Sequence, residues 1–367
     1  MNLFPKLLNV VHKTGLFQRR KVLPKMKIDG SFGEGGGQIL RTALSLAAII
    51  QRPVEIRNIR AGRKKPGLRP QHLMGVKALA TVTSAHVEGA ELGSERLYFE
   101  PRQLKGGTYA LDIGTAGSTG LVLQAMMPGL LLAHGPSRLT ITGGTHVPWS
   151  PCFHYLNEVF IPALKEMGCF VSLELVRWGW YPKGGGRLLA SISPVAKLGP
   201  MERTSRGKLN DICVLSAVSN LPRSIGERQR DQVLKRLATE GYDPSRVEFA
   251  DAPSPGTGTV VFMKVEFENG VAGFTSLGKR GKPAEKVADE ACSDFFEFMA
   301  SGAAVDHHLA DQLVLYMALA KGRSSLITGR ITKHLVTNIW VIEQFLPVRF
   351  EVDEETGRVS VEGIGYT

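Results

Sequence analysis

The feature that most narrows the choice of fold is a rhythm of elements that returns at long period. From Met26 onward a short strand around Ile28 leads into a Gly-rich turn. Gln38 to Ile50 then carries apolar residues at helical spacing: Ile39, Leu40, Ala43, Leu44, Leu46, Ala47 and Ile50. Val54–Ile56 reads as a strand, Gln71 to about Ala85 as a second helix, and His86–Glu88 and Arg96–Phe99 as two further strands. The same order returns with a strand at Tyr109–Asp112, a small-residue turn at 114–118 and an apolar helix from Thr119 to Ala133. A strand at Leu139–Ile141, a helix from Pro151 to Met167 and strands at Phe170–Leu173 and Leu188–Ser191 complete it. The turn glycines Gly33 and Gly114 lie 81 positions apart, too far for a solenoid unit but suited to a repeated small domain. A shorter third copy closes the chain, with helices Asp306–Ala320 and Leu335–Leu346 and strands at 326–327, 348–352 and 359–361. The expected fold class is therefore α+β: three repeated β-α-β-α-β-β units, each placing two helices on one face of a four-stranded sheet.

About a hundred residues between the second and third copies break this rhythm. Strands at 211–218, 246–249 and 259–265 and helices at 224–240 and 284–299 form a β-α-β-β-α unit. The expected organisation is a basic extension over 1–25, a large domain over 26–204, an inserted smaller α/β domain over 205–302, and the third repeat over 303–367. Met26 would serve as a start in its own right, so the leading segment reads as an over-long gene start or an ordered extension.

A chain of 367 residues holds two or three domains and a substantial core. Its net charge of +11 and pI of about 9.5 favour a polyanionic partner, although solvated lysine faces give the same balance. Cys152, Cys169, Cys213 and Cys292 are widely spaced, without a CxxC pair or a His/Cys ligand cluster. That argues against a zinc site and against a secreted disulfide scaffold, and for a cytoplasmic protein. No apolar run approaches a membrane span, and the basic N-terminus lacks the apolar core of a secretion signal, so no membrane partner is expected.

Five stretches carry chemistry. Gly33-Glu34-Gly35-Gly36-Gly37-Gln38 opens the first helix, where glycines let backbone N–H groups approach a phosphate. It lacks the Gly-Lys-Ser/Thr ending of a P-loop, and its carboxylate suits a divalent metal beside a triphosphate; the bland alternative is a tight turn with a capping acid. Arg60, Arg63, Lys64, Lys65, Arg69 and His72 crowd a loop braced by Pro66, which suits phosphate recognition or simply a solvated charge run. Gln124 sits in an apolar helix and needs a partner there. His308-Leu309-Ala310-Asp311-Gln312 opens the first helix of the third copy, where an acid also serves as a cap. Finally, Thr332 to Asn338 puts His334 at a helix N-terminus, where backbone N–H groups favour a phosphate and a neutral, nucleophilic imidazole. A surface or capping histidine is the plainer use.

These blocks, with Arg41 closing the first and Pro66 to His72 extending the second, resemble the RNA 3′-terminal phosphate cyclase family in content and order, from about Met26 to about Gly363. The resemblance implies an ATP-dependent enzyme that adenylylates a histidine, passes AMP to an RNA 3′-phosphate, and lets the vicinal 2′-hydroxyl close a 2′,3′-cyclic phosphate. It implies His334 as nucleophile, Glu34 as ligand of Mg²⁺ or Mn²⁺, and Arg41 on the phosphates. Arg60, Arg63 and Gln71 would lie near the triphosphate or the RNA end. Gln124 and His308, Leu309, Ala310, Asp311 and Gln312 would contact ATP. The family often has Tyr at the place of His308, which leaves that contact open. Phe274 is a candidate to stack on adenine, Lys279, Arg280 and Lys282 are candidate cations, and Trp178, Trp180 and Tyr181 could stack on a terminal base or pack in the core. The main rival is a non-catalytic RNA-binding relative acting in ribosomal RNA processing; another is a metabolic transferase built from similar units that acts on phosphorylated shikimate. The residues do not fix an oligomeric state, and a homodimer is one candidate.

Overall fold

The computed structural model describes residues 24–366, so the expected N-terminal extension lies outside the described residues apart from Pro24 and Lys25. The first sheet contains β1 (Met26–Asp29), β2 (Val54–Arg57), β3 (His86–Glu88) and β4 (Leu97–Glu100), with α1 (Gly37–Ile50) and α2 (Pro70–Thr83) between its early strands. Its order is β1-β2-β4-β3, with β1 and β2 parallel and the other pairs antiparallel. The second sheet, β5 (Thr108–Asp112), β6 (Ser137–Gly143), β7 (Phe170–Arg177) and β8 (Gly186–Ser193), has the order β5-β6-β8-β7 and the same sense of pairing. It carries α3 (Thr119–Leu131), then α4 (Phe153–Tyr155), which runs through a π-helical turn (Leu156–Phe160) into α5 (Ile161–Glu166). The sequence predicts one uninterrupted helix there. Pro162 cannot donate its missing N–H and crowds the carbonyl four residues back, and the wider π turn falls just ahead of it.

β9 (Glu202–Arg203) precedes the interrupting segment, which folds as β10 (Leu209–Ser219), α6 (Arg223–Thr239), β11 (Arg246–Asp251), β12 (Gly258–Phe267), β13 (Gly270–Leu277) and α7 (Ala284–Ser301). β13 adds a strand to the β-α-β-β-α pattern read from sequence, and the sheet order is β11-β10-β12-β13. The chain ends with α8 (His307–Leu319), β14 (Lys321–Ile327), α9 (Lys333–Phe345), β15 (Phe350–Asp353) and β16 (Arg358–Ile364). The last sheet has the order β15-β16-β14-β9, so its outer parallel strand comes from before the interrupting segment.

The sheets bury one face, as in β5 and β7, where exposed and half-buried residues alternate. By contrast α1 is buried from Gln38 to Ile49 except at Arg41, which marks it as a central helix. It packs on α9, where Thr42 Oγ1 donates to Asn338 Oδ1 (3.0 Å), and on α3, where Ser45 Oγ donates to the Ala125 carbonyl (2.7 Å). One core joins the helices of the first, second and last sheets, and a second core is drawn only from residues between Leu209 and Ala303.

Arg206 ties the start of that second region to its end. Its guanidinium donates to the carbonyls of Phe298, Met299 and Ala303 at 2.8–3.1 Å and lies over the rings of Phe267 and Phe298. Arg206→Ala would leave helix-end carbonyls without a donor and two rings without their cover. The expected loss is roughly 2–3 kcal/mol, read as a lower urea midpoint at unchanged slope.

Candidate active site

The turn after β1 is wound tightly: Asp29 Oδ1 accepts from Ser31 N, Ser31 Oγ and Asn58 Nδ2 at 2.7–3.1 Å. Gly33 follows with φ +58°, pressed so closely on α9 that a Cβ would meet Thr337 Oγ1 at 2.4 Å. Only glycine satisfies both conditions, and the result is to present Glu34 to the first turn of α9. Thr332 caps that helix through Leu335 N (2.9 Å), and His334 is its second residue. His334 Nε2 stands 2.8 Å from Glu34 Oε2, at ion-pair distance but without hydrogen-bond geometry. The other carboxylate oxygen accepts from Arg63 Nη2 at 2.7 Å. Segments three hundred positions apart in sequence thus meet at one carboxylate.

Burial pushes the His334 imidazole below its ordinary range; Glu34 opposes this, while Arg41, Arg63 and His308 add to it. The ring is therefore uncharged near neutral pH, the form with a lone pair to give. Arg41, one turn into α1, is brought down to about 10 by burial, against the pull of Asp311. Asp311 is pushed up to about 7 by burial, with Asp306 and Glu34 adding to the effect and the hydrogen bond from Thr332 Oγ1 (2.7 Å) opposing it. Asn338 Nδ2 donates to the Asp311 carbonyl (3.0 Å), so α1, α8 and α9 share one polar seam.

A carboxyl raised in the folded state holds a proton that the unfolded chain has already lost above about pH 4. Asp311 thus favours folding below its unfolded value, and that contribution is lost as pH rises toward 7. Asp311→Asn should flatten the fall in stability between pH 4 and 7, a difference of a few kcal/mol at most by linkage, seen in denaturant midpoints measured across that range.

The other predicted residues divide. Arg60, held at φ +56°, turns Nη1 back onto the carbonyls of Lys65 (2.8 Å) and Gly67 (2.9 Å), so part of its guanidinium braces its own loop. His72 in the same segment accepts from Arg69 N (3.2 Å) and is driven down to about 3 by burial, with Arg60, Arg41 and Arg69 adding to it. Gln71 Oε1 accepts from Ser118 N (3.1 Å), which ties α2 to the turn that opens α3. Gln124 Nε2 donates to Gln312 Oε1, and Gln312 Nε2 to the His308 carbonyl (2.8 Å), joining α3 to α8. Leu309 and Ala310 are 1% and 0% exposed, so only their main chain is left to face a ligand. His308 is exposed and packs edge-on near Tyr155.

Three expectations change. The cap of α8 is Asp306, whose Oδ1 accepts from His308 N, Leu309 N and Tyr155 OH, leaving Asp311 a turn further in. Phe274 is 5% exposed, packed against Phe295 and Phe298, and is not free to stack on a base. Lys282 is half-buried, bound to Ser276, the Leu277 carbonyl and Glu290. Trp178 and Trp180 are likewise core residues, and Tyr181 is 64% exposed. Sequence reasoning passed over Asp306 and Tyr155; an Asp directly ahead of a helix was the signal for the first, and nothing local marked the second.

An uncharged imidazole, a carboxylate with a spare oxygen and guanidinium groups from two chain segments make a centre suited to moving phosphorylated groups. Residues 32–352 match the model of a family described as RNA 3′-terminal phosphate cyclase. A curated relative of that name from Pyrobaculum aerophilum is 48% identical over 345 residues, 93% of this chain and 99% of the relative. Relatives of the same name from Pyrobaculum neutrophilum and Methylococcus capsulatus are 47% and 44% identical, over 93% and 92% of this chain and 99% and 96% of their own. The chain belongs to the RNA 3′-terminal phosphate cyclase family. That membership displaces the metabolic transferase as a rival. Among the described residues no helix is long and apolar enough to cross a membrane.

Proposed function

We propose that the protein uses ATP to convert an RNA 3′-phosphate to a 2′,3′-cyclic phosphate, with His334 as the covalent nucleotide carrier. The observation that carries this reading is the His334 Nε2–Glu34 Oε2 approach of 2.8 Å beside Arg63, in a protein whose relatives bear the cyclase name. The retained histidine also sets the enzyme reading ahead of the RNA-binding one. We read the three similar sheets with their helices as copies of one unit, each lending a helix end or turn to the cleft.

His334 Nε2 attacks the α-phosphorus of ATP, the bond to the bridging oxygen breaks, and diphosphate leaves. The imidazole passes its Nδ1 proton to solvent as the phosphoramidate forms and takes one back when it later leaves. Arg41 and Arg63 steady the charge that gathers on the departing oxygens. An oxygen of the RNA 3′-phosphate then attacks the adenylate phosphorus and releases His334. The neighbouring 2′-hydroxyl closes on the activated 3′-phosphorus, loses its proton, and expels AMP; proximity supplies much of that rate. Glu34 fits a hard divalent cation, since its Oε2 is buried without a hydrogen bond and the remaining ligands would be phosphate oxygens and water. Bound there, Mg²⁺ or Mn²⁺ would neutralise charge on the diphosphate.

The test is an RNA labelled at its 3′-phosphate, incubated with protein, metal and ATP. The expected product resists phosphatase and forms only with ATP. Label that stays open to phosphatase under every condition would put the RNA-binding reading ahead.

A further inference from the structure

We propose that His146, Cys152 and His154 form a site for one zinc-type cation, distinct from the carboxylate–histidine centre. The chain after β6 folds back on itself: Thr145 and His146 donate their N–H groups to the Gly179 carbonyl (2.9 and 3.0 Å), and Phe153 N donates to the Thr145 carbonyl (3.0 Å). That closure turns inward three residues that lie within nine positions of one another in the sequence. His146 Nε2 lies 3.0 Å from His154 Nδ1, and the Cys152 sulfur completes a trio whose ligand atoms lie within 4.8 Å of one another. Around tetrahedral zinc, nitrogen pairs stand about 3.3 Å apart and a sulfur about 3.5 Å from each nitrogen, given Zn–N and Zn–S bonds near 2.0 and 2.3 Å. A shift of about an ångström by the thiol would close the site.

The surroundings favour a cation of this kind. His146 and Cys152 are 1% and 2% exposed, and the set contains no carboxylate, so cations that seek oxygen are poorly served. Two imidazoles and one thiolate are ligands for zinc, with a fourth position left to water. Burial holds both imidazoles well below the ordinary range, in the uncharged form that ligates. Thr145 Oγ1 contacts His146 Nδ1 at 2.9 Å and fixes the ring with Nε2 turned inward, while Trp178 stacks on the ring at 4.2 Å. Thr275 Oγ1 approaches the Cys152 sulfur at 3.6 Å, and Phe262 lies 5.8 Å from the His154 ring, so β12 and β13 wall the site. The two imidazoles also lie at hydrogen-bond distance from each other, and Cys152 Sγ caps α4 by accepting from Tyr155 N (3.5 Å), contacts that a bound cation would replace or share.

Binding replaces the S–H bond of Cys152 with a metal–sulfur bond and releases one proton to solvent. The cation would lock the segment leading to Tyr155, whose hydroxyl reaches the Asp306 cap of α8.

The full-length protein would be loaded with Zn²⁺, dialysed and analysed for metal, and separately loaded with Co²⁺. The expected results are about one zinc per chain, one proton released per zinc, and a thiolate-to-cobalt charge-transfer band. Cys152→Ala and His154→Ala should weaken zinc binding roughly 100-fold, whereas Glu34→Ala should keep it. Circular dichroism of each metal-free variant separates loss of the site from loss of the fold. If a variant does not fold, the cobalt band and proton count of the unaltered chain decide alone. No cobalt–thiolate band in the unaltered chain would overturn the proposal, as would zinc lost in Glu34→Ala but retained in folded Cys152→Ala.

Discussion

His334→Asn is expected to abolish transfer of label from α-labelled ATP to the protein, and with it cyclisation, by about 10⁴-fold or more. Loss of a covalent nucleophile has effects of this size, because no neighbouring group can form the same intermediate. Near the cleft, His72 is pressed against Gly37 with its Nδ1 taken by Arg69 N, and His308 sits at the start of another helix. Neither replaces a ring held 2.8 Å from Glu34. The fold should survive the change. His334 is 48% exposed, and surface substitutions of that kind shift stability by about 0.5 kcal/mol or less. A folded, ATP-binding protein that no longer takes up label is therefore the expected combination. Residual cyclisation near the original rate would break the covalent account.

The second large effect is expected at Glu34. One of its oxygens holds Arg63 and the other faces His334, with the residue raised into place by the turn at Gly33. Glu34→Ala removes the metal's only proposed side-chain ligand and also frees both neighbours to move. The expected loss in adenylylation rate is roughly 10²- to 10³-fold, comparable to the loss of one well-placed electrostatic contact. The metal concentration for half-maximal rate should also rise, by roughly 10- to 100-fold. That second readout separates the roles. If the rate falls while the metal requirement stays the same, Glu34 acts only by positioning Arg63 and His334.

Much of this geometry was legible because the long helices announce themselves. The apolar spacing of α1 and the turn ahead of α9 placed Glu34 and His334 near helix starts; the structure has His334 in the first turn of α9 and Glu34 in the turn just ahead of α1. What local pattern could not show is that these two starts face each other. That depends on α1 packing against α9, through contacts such as Thr42 with Asn338. The family resemblance put Arg60 near the triphosphate or the RNA end, while the basic loop by itself suited either phosphate recognition or a solvated charge run. The positive φ of Arg60, which folds the guanidinium back on its own loop, leaves no mark in the sequence. β9 has two residues, too few for any alternation, so the outer strand of the last sheet was invisible. Phe274 was a candidate for adenine through the family resemblance alone, and the inward turn of its ring onto Phe295 and Phe298 is set by how α7 packs on β13. The trio of His146, Cys152 and His154 lies within nine positions, but its irregular spacing matches no paired-ligand pattern, and only the fold shows that the three side chains turn toward one another.

Mapping of the adduct by mass spectrometry tests the central claim most directly. Protein incubated with ATP and metal in the absence of RNA would be digested at alkaline pH and its peptides sequenced for an added AMP. The account predicts a single acid-labile adenylate on the peptide that contains His334, discharged when an RNA 3′-phosphate is added. An adenylate on any other residue, or none on a protein that still forms cyclic ends, would contradict it.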